Sequence, residues 1–312
     1  MPGTGQNIVT VLSASHEADA IGRAGPGGRR LAGMSTVRSG LLAAWASAWL
    51  AGEVSYDEAV DAVTGTDQPH RVVGLVNPVD VGPVGHVDPV GLAHPADSGL
   101  EPDQVLDVTG VPLGWLLATL RDRRATSVRL VLPVPGDPRG LPGPGPFTSA
   151  AIEAGEAVLG GGLGIVPTVT RHGSAVGSAT ISVRWTAFST DDPGRDPLTV
   201  AEAEHALGAA LREATSALLV ADVASWRPEV GEGVARVRRP TDPRLPPRCP
   251  PRAVRLLAQA DRLADVLELA DADAPGGAVT SAQAVARDAA LRPLRTAVRR
   301  ARVAAYNAAT VG

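Results

Sequence analysis

Asp137 and Arg139 stand two residues apart within residues 133–147, a Pro- and Gly-rich run between an apolar strand-like segment and the expected start of a helix. Ligands collect at such strand-to-helix crossings in α/β sheets. Arg139 could clamp an anion with its guanidinium fork at the positive helix end, and Asp137 could orient that anion or accept a hydroxyl proton. Pro135, Pro138, Pro142, Pro144 and Pro146 remove the backbone N–H groups that a phosphate nest needs. The competing reading is therefore a rigid crossover with no ligand.

A second group, His86, Asp88, His94 and Asp97, offers imidazole and carboxylate ligands of the kind that zinc or manganese takes, in a spacing that matches no metal motif. Solvated loop side chains are the alternative. Glu202 and His205 make one Glu-x-x-His on a helix, which di-iron bundles use in pairs; without a second copy, exposure beside Glu204 accounts for it better. The glycines at 160, 161, 162 and 164 follow a helix and precede a strand, the reverse of dinucleotide-binding order, and read as a helix stop. Gly173 to Gly177 lies on an expected hairpin tip and does not form a nucleophile elbow. Cys249, between prolines on a loop, has no neighbouring His; alone, it allows neither an intrachain disulfide nor a cysteine cluster, which fits a reducing compartment.

Lysine is absent, so all 29 basic side chains other than histidine are arginine. No Walker A lysine, kinase lysine, pyridoxal Schiff base or Ser-Lys hydrolase can exist here. Arginine stays protonated and replaces none of these roles, although it binds anions well. A GC-rich coding bias towards Ala, Gly, Pro, Val and Arg explains the absence without selection. Seven arginines, Arg236, Arg238, Arg239, Arg244, Arg248, Arg252 and Arg255, fall close together with only Asp242 opposing them. The helix expected after them starts basic and ends acidic, against its macrodipole. An acidic protein surface or a carboxylate-bearing neighbour helix would complement that cluster. A net charge of −4 and nine aromatic residues among Phe, Trp and Tyr disfavour nucleic acid.

The elements that position these residues are read from periodicity. Leu41, Leu42, Trp45 and Trp49 repeat at helical spacing, and Ser55 caps a second helix whose inner face is Ala59, Val60 and Val63, giving an αα-hairpin with both tryptophans in the core. Strands are expected at 71–76, 127–134, 164–171 and 177–188, the last two as a hairpin, with helices at 111–123 and 149–159, the latter capped by Thr148 or Ser149. From Thr199 onward, apolar residues spaced by three and four make antiparallel bundle seams, with Pro293 kinking or restarting the last helix.

The expected fold class is α+β, a small mixed sheet of about four strands with flanking helices followed by a C-terminal antiparallel helical bundle. Residues 1–33 are expected to be a mobile extension, 34–195 the α+β domain and 196–312 the helical domain. No secretory signal or membrane-length apolar run is present, so a cytoplasmic protein is expected. The favoured function is a non-enzymatic adapter or regulatory protein that docks an acidic partner through the Arg-rich linker and bundle, without cofactor. The alternative is an enzyme or small-anion binder at 133–147.

Overall fold

The computed structural model describes residues 37–67, 69–75, 110–172, 180–191, 198–220, 244–272 and 281–308. The expected extension 1–33 lies outside them. The chain divides into two compact units, Met1–Ala48 with Arg195–Gly312, and Trp49–Gly194.

Helix α1 (Arg38–Leu50) is apolar on every side, and nearly every side is buried, as such a helix must be. Trp49 is in the core as expected; Trp45 is half-buried, and its indole Nε1 donates to the Arg244 carbonyl at 2.8 Å. Helix α2 (Tyr56–Thr64) starts at a complete capping box: Glu58 N–H donates to Ser55 Oγ, and Ser55 N–H donates to the Glu58 carboxylate. Ala59 and Val63 are buried; Val60 is only half-buried. The two helices follow one another through a short turn, with the Trp49 and Tyr56 rings edge to face at 6.2 Å, and the boundary between the two units falls inside α1, between Ala48 and Trp49.

The fold class is α+β, and among the described residues the sheet has six strands, two more than anticipated. They are β1 (His70–Val73), β2 (Val111–Pro112), β3 (Arg129–Val131), β4 (Ala157–Gly160), β5 (Leu163–His172) and β6 (Thr180–Ser189), in the order β2-β1-β6-β5-β4-β3. Only β1 and β6 run parallel. The long β5–β6 ladder is the anticipated hairpin; its connection lies outside the described residues. Along β6 Val183, Trp185 and Ala187 are buried, with the half-buried Arg184, Thr186 and Phe188 between them, the alternation that a period of two produces. Trp185 is completely enclosed, and its Nε1 donates to Nδ1 of the buried His70 at 3.2 Å.

Helix α3 (Leu113–Asp122) sits against β1 and buries Leu113, Leu116, Leu117 and Leu120, an i, i+3, i+4, i+7 stripe. Each such leucine contributes about 1.5–3 kcal/mol on burial. Helix α4 (Pro146–Ala154) lays Phe147 and Ala151 against Val131, Ala157, Leu159 and Val166. The helix anticipated at 149–159 thus starts earlier and stops sooner, capped by Gly145 with Pro146 at its first position instead of by Thr148 or Ser149. Residues 157–160 form β4 instead. The glycines read as a helix stop are a hairpin turn: Gly161 and Gly162 have φ of +59° and +71°, the pair of left-handed conformations that a two-residue type I′ turn demands.

The other unit contains α5 (Val200–Val220), α6 (Pro251–Ala272) and α7 (Ser281–Ala308), with α7 packed on both of the others. Arg302 reaches Asp261 and Arg295 reaches Asp271, so α7 descends as α6 ascends and the two are antiparallel. Helices α5 and α6 begin side by side, at the Glu204–Arg252 ion pair. Helix α7 continues through Pro293 without the anticipated restart. Pro293 and Ala289, the residue whose carbonyl loses its donor, are both exposed, so water can satisfy that carbonyl. Helix α1 completes the unit at very close range. A Cβ on Gly40 would lie 2.6 Å from the Tyr306 ring.

Candidate functional site

The crossover after β3 is a folded structure. Asp137 N–H donates to the Val134 carbonyl at 2.9 Å, closing a tight turn over Pro135 and Gly136. The Arg139 guanidinium then grips the Asp137 carboxylate through both prongs, Nε to Oδ1 at 2.7 Å and Nη2 to Oδ2 at 2.9 Å. Thr148 Oγ1 donates to the carbonyls of Pro142 and Gly143 and fixes the entry to α4. The structure therefore brings the two anticipated ligand residues together, as partners of each other. An anion entering here has to displace a bidentate carboxylate from Arg139.

Of the arginine cluster, Arg236, Arg238 and Arg239 lie outside the described residues. The side chain of Arg252, in the first turn of α6, binds Glu204 of α5, Nε to Oε2 at 2.7 Å. A neighbouring carboxylate thus compensates part of the unfavourable charge at that helix start. Arg244 presents its carbonyl to Trp45. Arg248 and Arg255 are exposed and form no ion pair among the described residues.

The remaining candidates resolve differently. Cys249 is buried, and loss of hydration pushes its thiol up to about 11, so it is not a solvated loop nucleophile. Glu202 is the acid of a second capping box, with Thr199; the Thr199 side chain, then its backbone N–H, hold the carboxyl below its ordinary range. His205 is exposed. His86, Asp88, His94 and Asp97 lie outside the described residues. Among the described residues, no three His, Cys, Asp or Glu side chains converge to hold a metal ion, and no helix is long and apolar enough to cross a membrane.

Two family models divide the chain between them. One, described as the Rv1486c-like protein N-terminal domain, matches residues 39–200; the other, the Rv1486c-like protein C-terminal domain, matches residues 201–303. The chain belongs to the Rv1486c-like family. Uncharacterized protein Rv1486c of Mycobacterium tuberculosis (strain ATCC 25618 / H37Rv) is 31% identical over 292 residues, covering 86% of this chain and 95% of its own. Uncharacterized protein ML1804 of Mycobacterium leprae (strain TN) is 28% identical over 298 residues, with the same coverages. Uncharacterized protein MAV321 of Mycobacterium avium is 29% identical over 310 residues, again over 86% and 95%. No solved structure matches the chain.

Sequence reasoning passed over one group on the N-terminal family domain. Arg71 of β1, Arg184 of β6 and Thr168 of β5 are register partners, so they form one row on one face of the sheet. Ser182 and Thr170 make the next row on that face, with His172 Nε2 and Ser182 Oγ in hydrogen bond at 2.8 Å. The signal was present in the alternation Ser182, Arg184, Thr186. What was missing was the pairing of β1 with β6.

Proposed function

We propose that the chain is a non-enzymatic adapter or regulatory protein of the cytoplasm that docks an acidic partner surface through Arg236, Arg238, Arg239, Arg244, Arg248, Arg252 and Arg255. The observation that carries this reading is the exposure of Arg248 and Arg255 without an ion pair among the described residues, beside an Arg252 already answered by Glu204. Unscreened guanidinium forks at the start of a helix attract carboxylates and set association rates more than affinity.

A non-catalytic reading also fits the acids. Each carboxyl whose proton affinity is lowered has a structural cause: Ser55 for Glu58, Thr199 for Glu202, and Arg292 with Arg295 for Asp288. Asp137, the anticipated site acid, is spent on Arg139. These groups hold helices and turns in place, and none sits as a poised base.

The test compares wild type with Arg248→Glu/Arg255→Glu, using poly-glutamate and duplex DNA as probes in about 0.15 M salt, where charges beyond roughly 8 Å are screened. The reading expects wild type to retain poly-glutamate but not DNA, the charge-reversed variant to lose it, and both to melt alike. Equal retention of poly-glutamate by both proteins, or a preference for DNA, sinks it.

A further inference from the structure

Strand β5 outruns its neighbour on one side. Its ladder with β4 reaches no further than Ile165, because β4 begins at Ala157, directly after the Gly155 cap that ends α4, whereas β6 accompanies β5 as far as His172. From Pro167 onward β5 therefore has a strand on one edge only among the described residues.

Strand parity says which groups that edge presents. Thr190 N–H donates to the Gly162 carbonyl on the β6 side, so alternate residues from Leu163 point the other way. Beyond Ile165 these are Pro167, Val169 and Arg171. Pro167 offers a carbonyl, and Val169 and Arg171 each offer an N–H and a carbonyl; none of these groups is bonded among the described residues. Side chains do not shield the edge either. Thr168 to Arg171 are all exposed, Val169 by 43%, and Arg171 carries the only charge on the stretch. Native sheets blunt open edges with charges, bulges or a covering element, and an edge left open is a template for another strand.

The sequence of the edge says which strand fits it. Thr168-Val169-Thr170 reads the same in both directions. Antiparallel pairing about Val169 therefore sets Val169 on its counterpart and Thr168 on Thr170, cross-strand pairs that stabilise a sheet. Arg171 falls opposite Pro167, so no like charges meet. The hydrogen bonds close as well. Val169 exchanges both of its bonds with its counterpart, and each Arg171 N–H finds a Pro167 carbonyl, whose own residue has no N–H to give. We propose that the chain forms a two-fold dimer by antiparallel pairing of Pro167–Arg171 with the same residues of a second copy, an isologous contact. The edge is separate from the arginines at the start of α6 and does not rest on the adapter reading.

So short an edge buries less than the roughly 1,000 Å² of lasting interfaces, and a dissociation constant on the order of 100 μM is expected. Sedimentation of the full chain, from a decade below that concentration to a decade above it, should show monomer passing to dimer. Val169→Pro removes an outward N–H and no bond of the β5–β6 ladder, so it should fold and stay monomeric throughout. If that variant fails to fold, charge reversal serves. Val169→Lys and Val169→Glu should each weaken self-association about tenfold or more by setting like charges opposite one another, and their mixture should form a heterodimer. Under oxidation Val169→Cys should cross-link, its Cα about 5.5 Å from its counterpart, while Thr168→Cys should not. The native Cys249 is buried and does not compete. A monomer across the whole range, a Val169→Pro dimer as tight as wild type, no heterodimer from the Lys and Glu variants, or equal cross-linking by Thr168→Cys overturns the proposal.

Discussion

At the scale of single residues, burial and pairing set reactivity. With its thiol pushed up to about 11, Cys249 is thiolate in only about one molecule in a thousand at pH 8. A disulfide reagent should therefore label it slowly in the native protein and rapidly in urea; fast native labelling would contradict its burial. Glu268 shows the opposite linkage to Asp288. Partial loss of hydration where the neighbouring helix covers one side, tempered by Arg302 and reinforced by Asp271, raises the Glu268 carboxyl above its ordinary value although much of the side chain stays exposed. The folded state thus holds that proton more tightly than the unfolded chain, and stability falls as pH climbs from about 4.5 through the raised value. Glu268→Gln should stabilise the protein at pH 7 and not at pH 4, by less than about 0.5 kcal/mol because this exposed side chain is screened. Asp288, held down by Arg292 and then Arg295, gives stability that is complete above its unfolded value and lost as acid protonates it. Denaturant midpoints at the two pH values separate the cases.

At the scale of elements, close approach reverses an ordinary preference. Glycine inside a helix is worse than alanine by about 1 kcal/mol, so Gly→Ala usually stabilises. Gly40→Ala should do the reverse, because the new methyl meets the Tyr306 ring at 2.6 Å and overpacking costs about 1–3 kcal/mol. A rise in melting temperature for Gly40→Ala would refute the contact. The Arg302–Asp261 pair joins α7 to α6 with side chains only 14% and 18% exposed. Asp261→Ala should cost about 3 kcal/mol by stranding a buried cation, whereas Asp261→Leu with Arg302→Met should recover most of that loss. Periodicity made much of this level readable. Ser55 and Thr199 announced their helices, and the leucines of α6 and α7 announced their seams. Strand β4 was hidden because Ala157, Val158 and Leu159 extend the apolar spacing of α4, and only Gly155, its C-cap, marks the break. The parallel pairing of β1 with β6 joins residues more than a hundred positions apart, which no local pattern encodes. That is why Asp137 and Arg139, neighbours in sequence, were legible as a pair while Arg71 and Arg184 were not.

At the scale of the whole molecule, one compact unit is assembled from both ends of the sequence and the other from its middle. Residues 196–312 expressed alone should lose cooperative melting, since the contacts of Trp45 with Arg244 and of Gly40 with Tyr306 would be missing, and adding residues 37–50 through a linker should restore it. Equal stability with and without that segment would show the three long helices to be self-sufficient. The Gly40–Tyr306 contact also sets a timetable. At about 5–20 residues per second, a ribosome needs roughly 13–50 s to deliver Tyr306 after Gly40. Throughout that interval a helix that the fold buries almost completely waits in the nascent polypeptide for a partner still unmade, in the range where hold-and-release chaperones act. A permuted gene that places α1 directly after α7 would make the two consecutive, lower the contact order and shorten the exposure.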